Sequence, residues 1–215
     1  MKVILTEEEK NIIREAIEVA EKQTSGEIVP YLVKQSDFYL DAILKSALSF
    51  NIFTLLILYI YEKLGIFTEY LSVPNVILIT FFVSILGGLI GYIPFVRRIL
   101  AGKATLEYRV RLRAWEAFVE REVFRTKNRT GVLIFISFLE RMVYVLGDSG
   151  INQKVKIEDW QEIVNTIVES IKKGQLSQGI INAIHLCGEL LKKSGLSVEK
   201  GDINEITNEI TEKDR

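Results

Sequence analysis

Two stretches of the chain break the alternation of apolar and polar positions that runs through the rest of it. Residues 71–96 contain no charged side chain and exceed the roughly 20 apolar residues needed to cross a hydrocarbon core. Residues 46–61 are likewise uncharged and reach spanning length when Lys45 extends its ammonium toward the headgroups. The two runs predict a transmembrane helical hairpin with residues 62–73 as its turn. The segments before and after it then lie on one side of the membrane.

The flanking pattern is that of a soluble domain. Thr6-Glu7-Glu8-Glu9 reads as a capping box, ahead of a helix in which Ile12, Ile13, Ala16, Ile17, Val19 and Ala20 keep helical spacing and which ends at Thr24-Ser25-Gly26. Ile28–Val33 predicts a strand, and Pro30, which cannot donate to a ladder, places it at a sheet edge or a bulge. After the hairpin, residues 106–125 predict a helix facing inward with Tyr108, Leu112, Trp115, Phe118 and Val119. Residues 132–136 are continuously apolar, as in a strand buried on both faces. Glu140-Arg141 turns the chain into residues 142–146 as the hairpin partner, and Gly147-Asp148-Ser149-Gly150 closes it. Two more amphipathic helices follow, one opening at Glu158-Asp159 and carrying Trp160, the other running over residues 176–193.

A lone helix-strand unit cannot bury its faces. Residues 1–40 therefore dock on residues 99–195 to form one layered α/β domain, the hairpin 41–98 being an insertion. Residues 196–215 read as an acidic polar tail outside the regular structure.

Composition and charge add an orientation. The net charge is −1, which removes any global field for nucleic acid. Positive charge is local, however: Arg97, Arg98, Lys103, Arg109, Arg111 and Arg113 follow the second span, against Lys63 in the hairpin turn. This bias predicts a cytoplasmic domain, and it makes the six basic residues candidates for contact with anionic lipid. Residues 1–10 show no apolar leader segment, so insertion is expected to depend on the internal spans. Within the second span, Ser84, Gly87, Gly88 and Gly91 form two small-xxx-small pairs. They suit packing inside the hairpin against Ser46 and Ser49, or association with a second copy.

Groups capable of chemistry are few. His185 is the sole histidine and Cys187 the sole cysteine, and both sit on or beside the apolar stripe of the last helix, where they read as structural. No phosphate-binding glycine loop and no nucleophile elbow occurs. What remains are carboxylates at element ends: Glu27, Asp37, Asp148, Glu158 and Asp159. Hard cations take oxygen ligands of this kind, although caps and turns use acidic residues for structural reasons as well.

Several of these stretches resemble the TPM-domain family: Thr24-Ser25-Gly26-Glu27-Ile28-Val29, Gly131-Val132-Leu133-Ile134-Phe135-Ile136, Glu140-Arg141 with Val143 and Val145, and Gly147-Asp148-Ser149-Gly150-Ile151. The mid-domain hairpin, the Trp160 helix and residues 174–188 resemble its bacterial membrane-protein branch. The resemblance implies an αβα sandwich with a small mixed sheet, interrupted here by the two-helix hairpin. It further implies one of the family's activities: acid phosphatase, calcium binding, or service as an accessory factor to membrane complexes. Asp148 matches the acidic position after the family's hairpin.

The leading expectation is a multi-pass protein of the bacterial inner membrane whose cytoplasmic TPM-like domain is an interaction or accessory module. Its partners would be the lipid bilayer and a membrane or cytoplasmic protein, with no nucleic acid. Two alternatives stand beside it. One is a metal-dependent phosphatase, with calcium as the candidate cofactor held by Asp148 with Glu27 or Asp159. The other is a structural membrane protein that self-associates through Ser84, Gly87, Gly88 and Gly91.

Overall fold

A computed structural model describes residues 5–66, 72–196 and 204–215. In chain order the elements are α1 (Glu7–Glu21), β1 (Glu27–Val33), α2 (Leu40–Lys63), α3 (Val73–Gly91), α4 (Pro94–Ala101), α5 (Lys103–Glu120), β2 (Gly131–Ser137), β3 (Met142–Gly147), α6 (Ser149–Asn152), α7 (Ile157–Lys172), α8 (Leu176–Lys193) and β4 (Thr211–Lys213). The chain divides into two compact units, Met1–Asp37 with Arg109–Arg215, and Phe38–Tyr108. The inserted unit is thus larger than residues 41–98 and takes in α4 and the first turns of α5.

The first unit is a mixed four-stranded sheet in the order β3-β2-β1-β4. Strand β1 runs parallel to β2 and to β4, and β2 and β3 form an antiparallel hairpin. One face of the sheet carries Ile28, Leu32, Val132, Ile134 and Ile136 against α1, α7 and α8, which contribute Ile13, Ile17, Ile163, Ile167, Ile180 and Ile184. The other face carries Val29, Tyr31, Val33, Leu133 and Phe135 against Val110, Ala114, Ala117 and Phe118 of α5. Strand β2 is buried along its whole length, which is why its sequence shows no alternation. The Thr6 capping box forms: the Thr6 amide donates to Glu9 Oε2 at 2.8 Å, and the Glu9 amide to Thr6 Oγ1 at 3.3 Å.

Three expectations are corrected. Strand β1 is central, not at an edge. Its pairing with β4 begins only at Tyr31, so Pro30 falls in the half of the strand that has β2 alone beside it, and its missing N–H costs no ladder bond on the open side. The tail does not stay outside the fold. Residues 211–213 join the sheet, Glu212 Oε1 accepts from the Leu5 amide at 3.0 Å, and Lys34 pairs with Asp214 at 2.5 Å. Charged side chains that look solvated in sequence here serve as ties between distant segments.

The third correction concerns α5. Its inward face is Val110, Ala114, Ala117 and Phe118, while Leu112, Trp115 and Val119 are 41%, 48% and 60% exposed. Alanines let the helix axis lie close to the sheet, and this turns the bulky residues of the expected stripe outward.

In the second unit α2 and α3 pack along each other as an antiparallel pair. A Cβ on Gly87 would come within 2.9 Å of Ala47 Cα, and one on Gly91 within 2.9 Å of Ile43 Cα, whereas one on Gly88 would meet nothing within 4 Å. Asn51 Nδ2 donates to Ser84 Oγ at 2.7 Å across the pair. Ser84, Gly87 and Gly91 therefore serve the hairpin itself. The second span is shorter than residues 71–96: α3 stops at Gly91, and Pro94, which cannot donate back to the preceding turn, starts α4. Residues 67–71 of the expected hairpin turn lie outside the described residues.

Candidate functional site

The carboxylates expected as metal ligands are each engaged within the fold. Asp148 is 5% exposed. Its Oδ1 accepts from the Ser149 amide at 2.6 Å and its Oδ2 pairs with Arg129 Nε at 2.9 Å. Asp159 caps α7, accepting from the Lys156 amide at 3.1 Å. Glu27 accepts from the Glu205 amide at 3.1 Å. Among the described residues no group of three His, Cys, Asp or Glu side chains is placed to hold a metal ion. Asp148 and Asp159 each satisfy a backbone donor at their own element end, the structural use that such positions commonly have, whereas Glu27 ties β1 to the distant residue 205. His185 is exposed on α8, and Cys187 is fully buried, which pushes its thiol pKa up.

The six basic residues also divide. Arg109 pairs with Asp37 at 2.9 Å, and Arg111 is exposed. Arg113 is 4% exposed and belongs to the interior. Its Nη2 donates to Tyr31 Oη at 2.7 Å with the guanidinium 5.2 Å from the ring centre, and its Nη1 lies 3.4 Å from Glu120 Oε1. Tyr31 Oη in turn donates to Glu120 Oε2 at 2.6 Å, and Lys213 Nζ reaches the same oxygen at 2.7 Å. Burial pushes the Glu120 carboxyl up, but the bonds from Lys213 and Tyr31 and the charge of Arg113 outweigh it and hold the group below its ordinary value. This network joins β1, α5 and β4 and leaves Arg113 no role at a lipid surface. Arg97, Arg98 and Lys103 belong to the second unit.

A buried pair lies at the end of α1. Glu21 Oε1 accepts from the Ile28 amide at 3.0 Å, and the second oxygens of Glu21 and Glu27 are buried, the two carboxyls interacting with each other. Burial, followed by the neighbouring Glu27 charge, raises the Glu21 pKa to about 8, and burial raises that of Glu27 as well.

A cleft of about 480 Å³ runs along β3, lined by Trp115, Tyr144, Val145, Asn152, Trp160 and Val164 among others. It straddles the open edge of the sheet. Trp115, held edge-to-face on Phe118 at 5.6 Å, stands on one side of β3, and Trp160 of α7 on the other. The register explains why this edge is open to a partner. The Asp148 amide bonds to Gly131 O at 2.9 Å, and antiparallel pairs alternate, so Tyr144 and Leu146 bond to β2. Val143 and Val145 point their backbone groups off the sheet. The strand contains no charge and no proline, the usual devices that blunt an edge. Leu112, Trp115 and Val119 continue the apolar surface along α5.

Sequence reading missed this cleft because edge position depends on strand order. The order follows from the parallel pairing of β1 with β2 across the inserted unit, a contact without local signature. The available signal was the presence of Trp115 on an alanine-rich helix, where the small residues, not the large ones, mark the buried side.

Residues 96–190 match the family model of the TPM domain. The NMR structure of the BA42 protein from the psychrophilic bacterium Bizionia argentinensis sp. nov. is similar to this fold, with a TM-score of 0.61 and 24% sequence identity over 99% of this chain and 97% of that one. No curated protein matches the chain.

Proposed function

We propose, for a chain that carries a TPM domain, that the domain is a binding module anchored to the membrane by α2 and α3. It would take an apolar segment of a partner protein along β3 and the outer face of α5. The observation that carries the reading is the exposed stripe Leu112, Trp115 and Val119 continuous with an unblunted sheet edge flanked by both tryptophans. An edge strand offers backbone bonds to an extended segment, and aromatic walls supply pockets for its side chains. Tryptophans in such positions are common energetic centres of interfaces.

The anchor rests on α2 and α3, which are long and apolar enough to cross a membrane. Large side chains such as Leu48, Ile52, Phe53, Phe81, Phe82 and Leu89 are exposed along both helices, and only a hydrocarbon environment or another apolar surface removes them from water. The basic residues that follow α3 favour the inner membrane with the TPM domain in the cytoplasm.

The test is a photo-crosslinking residue at Leu112 in living cells. A defined adduct in the membrane fraction is expected, and Trp115→Ala should reduce it at least about tenfold, the size of effect typical of an interface tryptophan. Val145→Pro should reduce it too. It removes an N–H that points away from β2, so the fold should persist. An absent adduct, or one indifferent to both substitutions, would overturn the reading.

A further inference from the structure

The short helix after the second span has a composition that neither unit's packing explains. Pro94-Phe95-Val96-Arg97-Arg98-Ile99-Leu100-Ala101 forms α4 directly after a break at Tyr92 and Ile93. Arg97 and Ala101 face inward onto the hairpin: Arg97 Nη2 donates to Tyr92 O at 3.0 Å, and its guanidinium stacks 5.3 Å from the Tyr92 ring centre. On the opposite face Phe95 is 69% and Ile99 61% exposed, and Tyr92 and Ile93 of the break are exposed beside them. Arg98 lies on the flank of this apolar face, with its Nε buried and unpaired.

Charge is concentrated at the same place. Lys103, just past α4, has its side chain 86% exposed and lies 3.6 Å from Glu107. Lys45 of α2 bridges Asp41 at 3.2 Å and Leu100 O at 3.5 Å, which ties α2 to the end of α4. Four cations, Lys45, Arg97, Arg98 and Lys103, thus stand against two anions, Asp41 and Glu107. Helix length fixes the depth. The 19 residues of α3 extend about 28 Å at 1.5 Å per residue, close to the roughly 30 Å of a hydrocarbon core. Gly91 then ends at the boundary of that core, and α4 begins in the headgroup layer.

We propose that α4 is an interfacial helix: Phe95 and Ile99 sink to the acyl boundary, while Arg98 and Lys103 bind the phosphates of anionic phospholipid. A helix with a bulky apolar face flanked by cations has the chemistry of this environment. The inference rests on the reading that α2 and α3 span the bilayer. Of the six basic residues of the sequence it assigns lipid to Arg98 and Lys103, the two beside the exposed apolar face of α4, and leaves Arg111 as an exposed residue of the first unit. Arg113 and Arg109 are engaged within the first unit, and Arg97 holds the break.

The experiment uses the full chain with Cys187→Ser and a single cysteine at Ile99, labelled with an environment-sensitive fluorophore. The chain is reconstituted in phosphatidylcholine vesicles containing equal small fractions of spin-labelled phosphatidylcholine or phosphatidylglycerol. Matching probes at Ile52 and Ile85 report whether the spans insert. With the spans in hydrocarbon, the probe at residue 99 should report a shallow apolar environment. Spin-labelled phosphatidylglycerol should quench it about threefold more than the phosphatidylcholine, and Arg98→Gln with Lys103→Gln should abolish the difference. A probe at 99 in water while those at 52 and 85 are in hydrocarbon overturns the inference and leaves the anchor standing. So does equal quenching by the two lipids, or an apolar signal quenched by neither, which would place a second copy of the chain over α4. Water at 52 and 85 overturns both.

Discussion

Gly131→Ala is expected to lower the stability of the first unit by about 3 kcal/mol or more, near the upper end of overpacking costs. Gly131 opens β2, where it pairs with Glu27, and its carbonyl accepts from the Asp148 amide at 2.9 Å. A Cβ there would lie 2.1 Å from Val123 O and 2.7 Å from Val123 Cγ1. The obstructing atom is backbone, and the glycine's own backbone is held by ladder bonds, so no rotamer change relieves the overlap. For a chain of this size each kcal/mol shifts Tm by about 2–4 °C, and a fall of roughly 10 °C is the expected reading in detergent-solubilised protein followed by circular dichroism. Gly88→Ala, with open space around it, serves as the control and should leave Tm in place. An unchanged Tm for Gly131→Ala would mean that the β2 entry is packed differently.

The glycine illustrates where sequence was informative. Asn128-Arg129-Thr130-Gly131 is by its own composition a turn ahead of β2, the β2–β3 hairpin follows from an apolar run and its return, and the capping box marks the start of α1 to the residue. These are local relations between neighbours. The resemblance of residues 131–136 and 147–151 to the TPM family carried the layered architecture, and the domain match agrees with it. Relations between distant segments were not legible. Nothing near Glu212 says that it will meet the Leu5 amide, nothing near Arg113 announces Tyr31, and the outward turn of Trp115 depends on how closely two alanines let α5 approach the sheet. The expected metal set meets the same limit: among the described residues no group of three His, Cys, Asp or Glu side chains is placed to hold a metal ion. Glu27, Asp148 and Asp159 were each correctly placed at an element end, yet element ends need not converge.

Glu21→Gln is expected to stabilise the protein at pH 8 and to flatten its pH dependence. The Glu21 carboxyl is pushed up to about 8 by burial and by the adjacent Glu27. An unfolded glutamic acid releases its proton near pH 4.5. Below that value both states hold the proton and folding is unpenalised. Between about 4.5 and 8 the unfolded state has released a proton that the folded state keeps, so stability falls as pH rises, by up to tenfold in the folding equilibrium per pH unit. Above about 8 both states are ionised and the loss levels off. Glu27, raised in the same direction, adds to the slope, and the charge of Glu205 also acts on Glu27. Glutamine keeps an oxygen to accept from the Ile28 amide and cannot ionise. Thermal unfolding from pH 5 to pH 8 should show a falling Tm for the natural chain and a shallower fall, due to Glu27, for Glu21→Gln. A variant that melts no higher than the natural chain at pH 8 would refute the buried carboxyl pair.

The proposed anchoring requires that the hairpin cross the membrane with the binding domain inside, and cysteine accessibility tests that directly. On a Cys187→Ser background, a single cysteine would be placed at Glu189, exposed on α8, or at Leu64, exposed after α2, and cells labelled with an impermeant maleimide. Labelling at 64 in cells whose inner membrane is intact, with labelling at 189 only after that membrane is permeabilised, is the expected result. Equal labelling of the two positions under both conditions would show that the hairpin does not cross and would contradict the account.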